Sequence, residues 1–187
     1  MYSDDHHVPG SDQFGPKVAQ FDDWFGAHLE RLRGNPIADR VFTAASELGD
    51  FSLIWHIAAA AKGLASERAA SESLLLSALI GAESLLVNQG VKRLFKRTRP
   101  TESGDTRYVV RQPSTSSFPS GHASSAAFAA SLLASRSPVW VRPLWYALAL
   151  VVAVSRPFVR VHHASDVVAG LATGLALAAI ARRIIRR

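Results

Sequence analysis

The chain has 187 residues, enough for one domain and too few for two of ordinary size. It is 48% hydrophobic yet carries a formal net charge of +6, and it has no cysteine, which excludes disulfides and thiolate chemistry. Much of the basic charge closes apolar runs, as in Lys92-Arg93, Lys96-Arg97, Arg182-Arg183 and Arg186-Arg187. That pattern fits membrane helices whose Lys and Arg snorkel to the interface, and not the basic face of a nucleic-acid binder.

In chain order, residues 1–13 read as a flexible polar tail without the apolar core of a signal peptide. His6-His7 in that tail is an inert pair rather than a metal site. Over residues 14–35, Val18, Phe21, Trp24, Phe25, Leu29 and Leu32 recur at helical spacing, and Asp22, Asp23, Glu30 and Arg31 fill the other face. The segment is expected to be an amphipathic interfacial helix, with a soluble surface helix the equal alternative. Residues 36–187 hold five apolar stretches, at 41–64, 74–91, 123–134, 144–154 and 167–185. Only some approach the roughly 20 residues that cross a bilayer. Together they predict an all-α, integral-membrane helical bundle of about five spans. Trp140, Trp145 and Tyr146 bracket the fourth stretch like an interfacial belt. Gly170-x-x-x-Gly174 invites close helix packing, and Glu83, within the second stretch, needs either a partner in the bundle or a proton.

Counting spans puts residues 93–120 and 155–165 on one side of the membrane, and these segments hold the chemistry. Lys92 and Arg99 are spaced to share a face of a helix that Pro100 ends, where two cations can grip a phosphate; simple snorkelling is the alternative. Pro119-Ser120-Gly121-His122 before an apolar run predicts a helix start. Ser120 is its cap, free N–H groups there suit an anion, and His122 adds a proton donor. In Ser155-Arg156-x5-His162-x3-Asp166 an i, i+4 pair lets a carboxylate orient an imidazole and leave its other nitrogen as nucleophile. Arg156 supplies a further cation, and His163 is expected to point away as an interface residue.

These three motifs, in this order and spacing, resemble the signature of the type-2 phosphatidic acid phosphatases, or lipid phosphate phosphatases, over about residues 70–185. The resemblance implies that His162 becomes a phosphohistidine, that Asp166 orients it, and that His122 protonates the leaving group. It implies that Lys92, Arg99, Arg156, Ser120 and Gly121 hold the phosphoryl oxygens, with no metal or other cofactor. The substrate would be a phospholipid or polyprenyl phosphate. Two alternatives stand beside this reading: an acid phosphatase for soluble esters, and a membrane protein that only binds lipid phosphates. The residues Glu102, Asp105, Arg107, Tyr108 and Arg111 are expected to choose the headgroup, and Arg160 to serve a second anionic group. The C-terminal arginines point to a cytoplasmic C-terminus, which puts the N-terminus and the active face outside a bacterial inner membrane.

Overall fold

The computed structural model describes residues 8–103, 107–112 and 114–185. His6-His7, Asp105, Arg186-Arg187 and the side chain of Glu102 lie outside that description. The described residues form seven α-helices with no strand among them, and the longest connection, residues 95–120, joins the fourth helix to the fifth.

Helix α1 (Pro16–Glu30) starts at a proline in its first turn, where the missing N–H costs nothing. Asn35 caps α2 (Pro36–Leu48), its side chain accepting from the Ile37 and Ala38 amides at 3.0 and 3.2 Å. The first apolar stretch, read as one segment, is broken. Phe51 and Ser52 adopt left-handed backbone angles in a 3₁₀ turn, Asp50–Ser52, and only then does α3 (Leu53–Gly63) begin. Ser66 caps α4 (Glu67–Leu85), which continues through one π turn and one 3₁₀ turn to Leu94. Then come α5 (Gly121–Ser135), α6 (Arg142–Phe158) and α7 (Ala164–Ile185).

Helix α5 is the centre of the bundle. Every residue from Ala123 to Ala134 is buried, against α6 and α7 above all. Small side chains make this possible, and Gly170 and Gly174 of α7 show why: a Cβ at either would collide with the Ser120 or Ser124 carbonyl of α5. The main core gathers Trp55, Ile80, Phe128, Leu132, Leu133 and Val152. Glu83 is buried on α4 and accepts a hydrogen bond from Ser124 Oγ on one of its two oxygens.

Two helices are long and apolar enough to cross a membrane, Glu67–Leu94 and Ala164–Ile185. Helices α5 and α6, of 15 and 17 residues, are shorter. Their rise of about 1.5 Å per residue leaves them short of a hydrocarbon core of about 30 Å. Trp140 and Tyr146 are exposed, whereas Trp145 turns inward and donates to Ser137 Oγ at 3.0 Å.

Residues 8–13, read from the sequence as tail, lie against the protein. Gly10 and Ser11 are buried, and Gln13 accepts from the Thr98 amide at 2.9 Å. At Gly10 the positive φ and the nearness of the Thr98 carbonyl exclude any larger residue.

Candidate active site

The site forms where the extended segment after α4, the start of α5, the end of α6 and the start of α7 meet. The helix carrying Lys92 stops at Leu94, and Phe95 is extended (φ −126°, ψ 148°). Lys92 and Arg99 therefore do not share a helix face, contrary to the spacing argument. Residues 95–99 lead to Pro100 outside any helix, and the residue before a proline is itself biased away from helical angles. Both cations nevertheless reach the same centre.

His162 lies just before α7, fully enclosed, with Nδ1 3.5 Å from Asp166 Oδ2. Asp166 is held on both oxygens. Arg97 Nη1 donates to Oδ1 at 2.6 Å, and Ser117 Oγ and the His163 amide donate to Oδ2 at 2.5 and 2.9 Å. Arg99 Nη1 lies 3.3 Å from His162 Nε2. A guanidinium can only donate, so Nε2 is the acceptor and Nδ1 carries the proton facing Asp166. Burial pushes the His162 pKa well below its ordinary value. The Asp166 hydrogen bond opposes that push, and the charges of Arg99 and Lys92 add to it. The imidazole is thereby neutral, with a lone pair at Nε2, as a nucleophile requires.

Arg99 is fixed by the Val161, Thr115 and Ser116 carbonyls at 2.8, 3.0 and 3.2 Å. Lys92 is buried beside it. Arg156 sits within the last turn of α6, bonded to Ser46 Oγ of α2. Its Nε and Nη2 are buried without a hydrogen-bond partner among the described residues, and an oxyanion would satisfy them. Ser120 caps α5 through the Ala123 amide at 3.4 Å, and its own amide donates to the Asp166 carbonyl at 2.9 Å. A side chain at Gly121 would strike that of Asn88. His122 Nε2 lies 3.0 Å from Asp50 Oδ1.

A cavity of about 410 Å³ is lined by Lys92, Gly121, His122 and His162, and extends past Asn88 and Leu85 along α4. The structure thus brings Lys92, Gly121, His122 and His162 to one space, with Arg99 and Asp166 in contact with His162 and Ser120 immediately behind. Among the described residues no group of three or more His, Asp or Glu side chains is placed to hold a metal ion.

The sequence reading missed Ser117, Arg97, Asp22, Asp50 and Asn88. Arg97 was one of a crowd of cations, and Asp22 looked like part of a solvated helix face. His163 does not point outward: it is buried, with Nε2 3.2 Å from the Thr98 carbonyl. Of the residues expected to choose a headgroup, Arg111 lines the cavity and lies over the Phe51 ring at 4.6 Å. Arg107 and Tyr108 are directed to α1 and α2 instead. Arg107 and Arg160 bond to Glu30 at 2.6 and 2.7 Å, and with Arg33 they pull the Glu30 pKa down to about 2, Arg107 contributing most. Tyr108 donates to Asp39 at 2.8 Å, and burial and that bond push its pKa up to about 12.

A family model described as the PAP2 superfamily matches residues 72–187. The decaprenylphosphoryl-5-phosphoribose phosphatase of Mycolicibacterium smegmatis is 36% identical over 142 residues, 74% of each chain. Its namesake from Mycobacterium tuberculosis is 35% identical over 136 residues, 72% of this chain and 73% of that one. Among solved structures, the transmembrane PAP2-type phosphatidylglycerolphosphate phosphatase from Bacillus subtilis superposes with a TM-score of 0.71 at 26% identity, covering 91% of this chain and 87% of that one.

Proposed function

As a member of the PAP2 superfamily this chain is a phosphatase, and we propose that it hydrolyses a phosphate monoester or diphosphate carried on a membrane lipid, through a phosphohistidine on His162. The observation that carries this reading is the orientation of His162. Asp166 faces Nδ1, and the Nε2 lone pair faces Arg99.

In the first half-reaction His162 Nε2 attacks phosphorus, the bond from phosphorus to the lipid oxygen breaks, and His122 gives its proton to the departing alkoxide. In the second, a water attacks the phosphohistidine and yields a proton to His122. The P–N bond breaks, its electron pair returns to Nε2, and inorganic phosphate leaves. Asp166 steadies the imidazolium of the intermediate. Lys92, Arg99 and Arg156, with Ser120 and the Gly121 amide, take the non-bridging oxygens; three fixed cations supply the charge that a divalent metal supplies in other phosphoryl transfers. The Asp50 carboxylate lies against His122 Nε2 and can orient that imidazole.

A lipid substrate is supported by the path of the cavity along α4, beside the exposed Leu85 and Leu86. The relatives named above act on a decaprenyl-linked phosphosugar and on phosphatidylglycerolphosphate, and both chemistries present a terminal phosphate on a lipid headgroup. Exposed Ile57, Leu74, Leu150, Leu175 and Ile180 support embedding residues 36–187 as a bundle of about five spans. Exposed Trp24 supports an interfacial α1 within residues 14–35. The packing of Gly10 and Asp22 on the active end supports an N-terminal segment on the same side as the active face. Arg182 and Arg183 at the far end of α7 support a cytoplasmic C-terminus and an active face outside a bacterial inner membrane.

The test is phosphate release from a panel of detergent-solubilised lipid phosphates and diphosphates with EDTA present, for wild type and His162→Ala. Activity that survives EDTA and vanishes in the variant is the expected result. Activity lost to EDTA, or retained by the variant, overturns the mechanism.

A further inference from the structure

Arg97 is neither a motif residue nor a surface cation. Its side chain is fully buried between two carboxylates, Asp166 of α7 and Asp22 of α1, at 2.6 and 2.7 Å. Its Nε donates to the Gly10 carbonyl at 3.0 Å, Nη1 also donates to Ser165 Oγ at 2.7 Å, and the guanidinium lies 4.7 Å from the centre of the Phe14 ring. Asp22 in turn takes the Ser165 amide at 2.7 Å and the Ser165 hydroxyl at 2.8 Å, in the first turn of α7. Gly10, Phe14 and Asp22 all precede the family match, which begins at residue 72.

We propose that Asp22, acting through Arg97, is a positioning residue for the catalytic Asp166, so that the N-terminal segment is a working part of the active site. This rests on the phosphohistidine reading of His162. The charge count supports it. One guanidinium between two carboxylates leaves one negative charge unmatched, and that charge sits beside an imidazole that becomes cationic when phosphorylated. Were Asp22 absent, Arg97 would claim Asp166 undivided, and Asp166 would be a weaker partner for the imidazolium. The geometry agrees. Arg97 holds Oδ1 of Asp166, so that Oδ2 faces Nδ1 of His162. Buried charges add little net stability, but a fully bonded buried network of this kind specifies one arrangement.

The experiment uses the full chain in detergent, with phosphatidic acid in micelles as probe, and compares wild type, Asp22→Asn, Arg97→Lys and His162→Ala. For Asp22→Asn, kcat falls by about 10–100-fold, the range found when groups supporting a catalytic ligand are removed, while KM stays near wild type. The acid limb of kcat/KM moves to lower pH. The charges facing His162 are then Asp166, Arg99 and Lys92, with Arg97 on the far side of Asp166 and His163 adjoining, and the loss of one carboxylate favours the neutral imidazole. Should Asp22→Asn not fold, Arg97→Lys carries the test: it keeps the charge, loses the fork and gives the same fall in kcat. A lowered melting temperature with wild-type kcat and an unmoved pH profile means that Asp22 merely ties α1 to α7, and overturns the proposal. If His162→Ala keeps its activity, the phosphohistidine reading has failed instead, and the two failures are thereby distinguished.

Discussion

The two ends of the bundle treat their polar residues in opposite ways. At the end where α3 stops and α5 turns into α6, Lys62 Nζ reaches the Arg136 carbonyl and Ser137 Oγ at 3.3 Å each, and Ser66 caps α4. Arg68 and Glu72 pair there with side chains 90% and 44% exposed. At the other end Lys92, Arg97, Arg99 and Arg156 are buried, together with Asp22, Asp166, His162 and His163. Withdrawing an ion from water costs several kcal/mol even after relaxation, so a fold that buries four cations against the two carboxylates Asp22 and Asp166 has left positive charge at that end for an anion. Lys62, Arg68, Arg136 and Arg142 of the other end are not among the buried residues, so enclosure separates the two ends.

Substitutions can break this contrast, and the largest effect belongs to the enclosed end. His162→Ala is expected to cost on the order of 10⁴-fold or more in kcat, as loss of a nucleophile does, measured by phosphate release. His122→Ala is expected to cost about 10²–10⁴-fold on an alkyl phosphate. The loss shrinks sharply on a p-nitrophenyl ester, whose leaving group needs no proton; equal losses on both esters would remove His122 from the acid role. Between the ends, Gly174→Val drives a side chain into the Ser124 carbonyl and is expected to lower stability by about 1–3 kcal/mol, read from thermal unfolding in detergent. At the ordinary end, Lys62→Met removes two long hydrogen bonds, lowers stability by about 1 kcal/mol and leaves kcat unchanged.

The smallest effect is pH-dependent. Glu30 has its pKa held near 2 in the fold, below its unfolded value of about 4.3. Its contribution is therefore fully present above about pH 4.3 and is lost as pH falls toward 2. The Glu30 side chain is 43% exposed, so screening keeps the contribution below about 1 kcal/mol. The difference in melting temperature between wild type and Glu30→Gln should narrow from pH 6 to pH 3.

The second and third motifs were legible because each rests on short-range spacing, whereas the helix-face argument for Lys92 and Arg99 failed where the helix stops at Leu94. His162 and Asp166 are four residues apart, and Ser120 does begin α5 beside Gly121 and His122. The close packing at Gly170 and Gly174 was legible for the same reason. What escaped depends on contacts between distant segments. Five of the eight residues from Lys92 to Arg99 are basic, and nothing local says that Arg97 turns to Asp22 and Asp166. Asp22 shares its helix face with Asp23 and Glu30, and only the approach of α7 makes it a buried group. The turn that sets Asp50 beside His122 uses left-handed angles at Phe51 and Ser52, neither of them a glycine, and its turn residues Gly49, Asp50 and Ser52 were hidden inside a run read as one apolar stretch.

The central claim is that the phosphoryl group passes through His162. The direct measurement is to mix the enzyme with a ³²P-labelled lipid phosphate, quench in alkali within the first turnover, and locate the label. The account predicts label on the His162 imidazole in wild type, none in His162→Ala, and accumulation in His122→Ala when the ester carries a good leaving group. Label on a carboxylate or hydroxyl, or phosphate release with no labelled enzyme at any time, would contradict it.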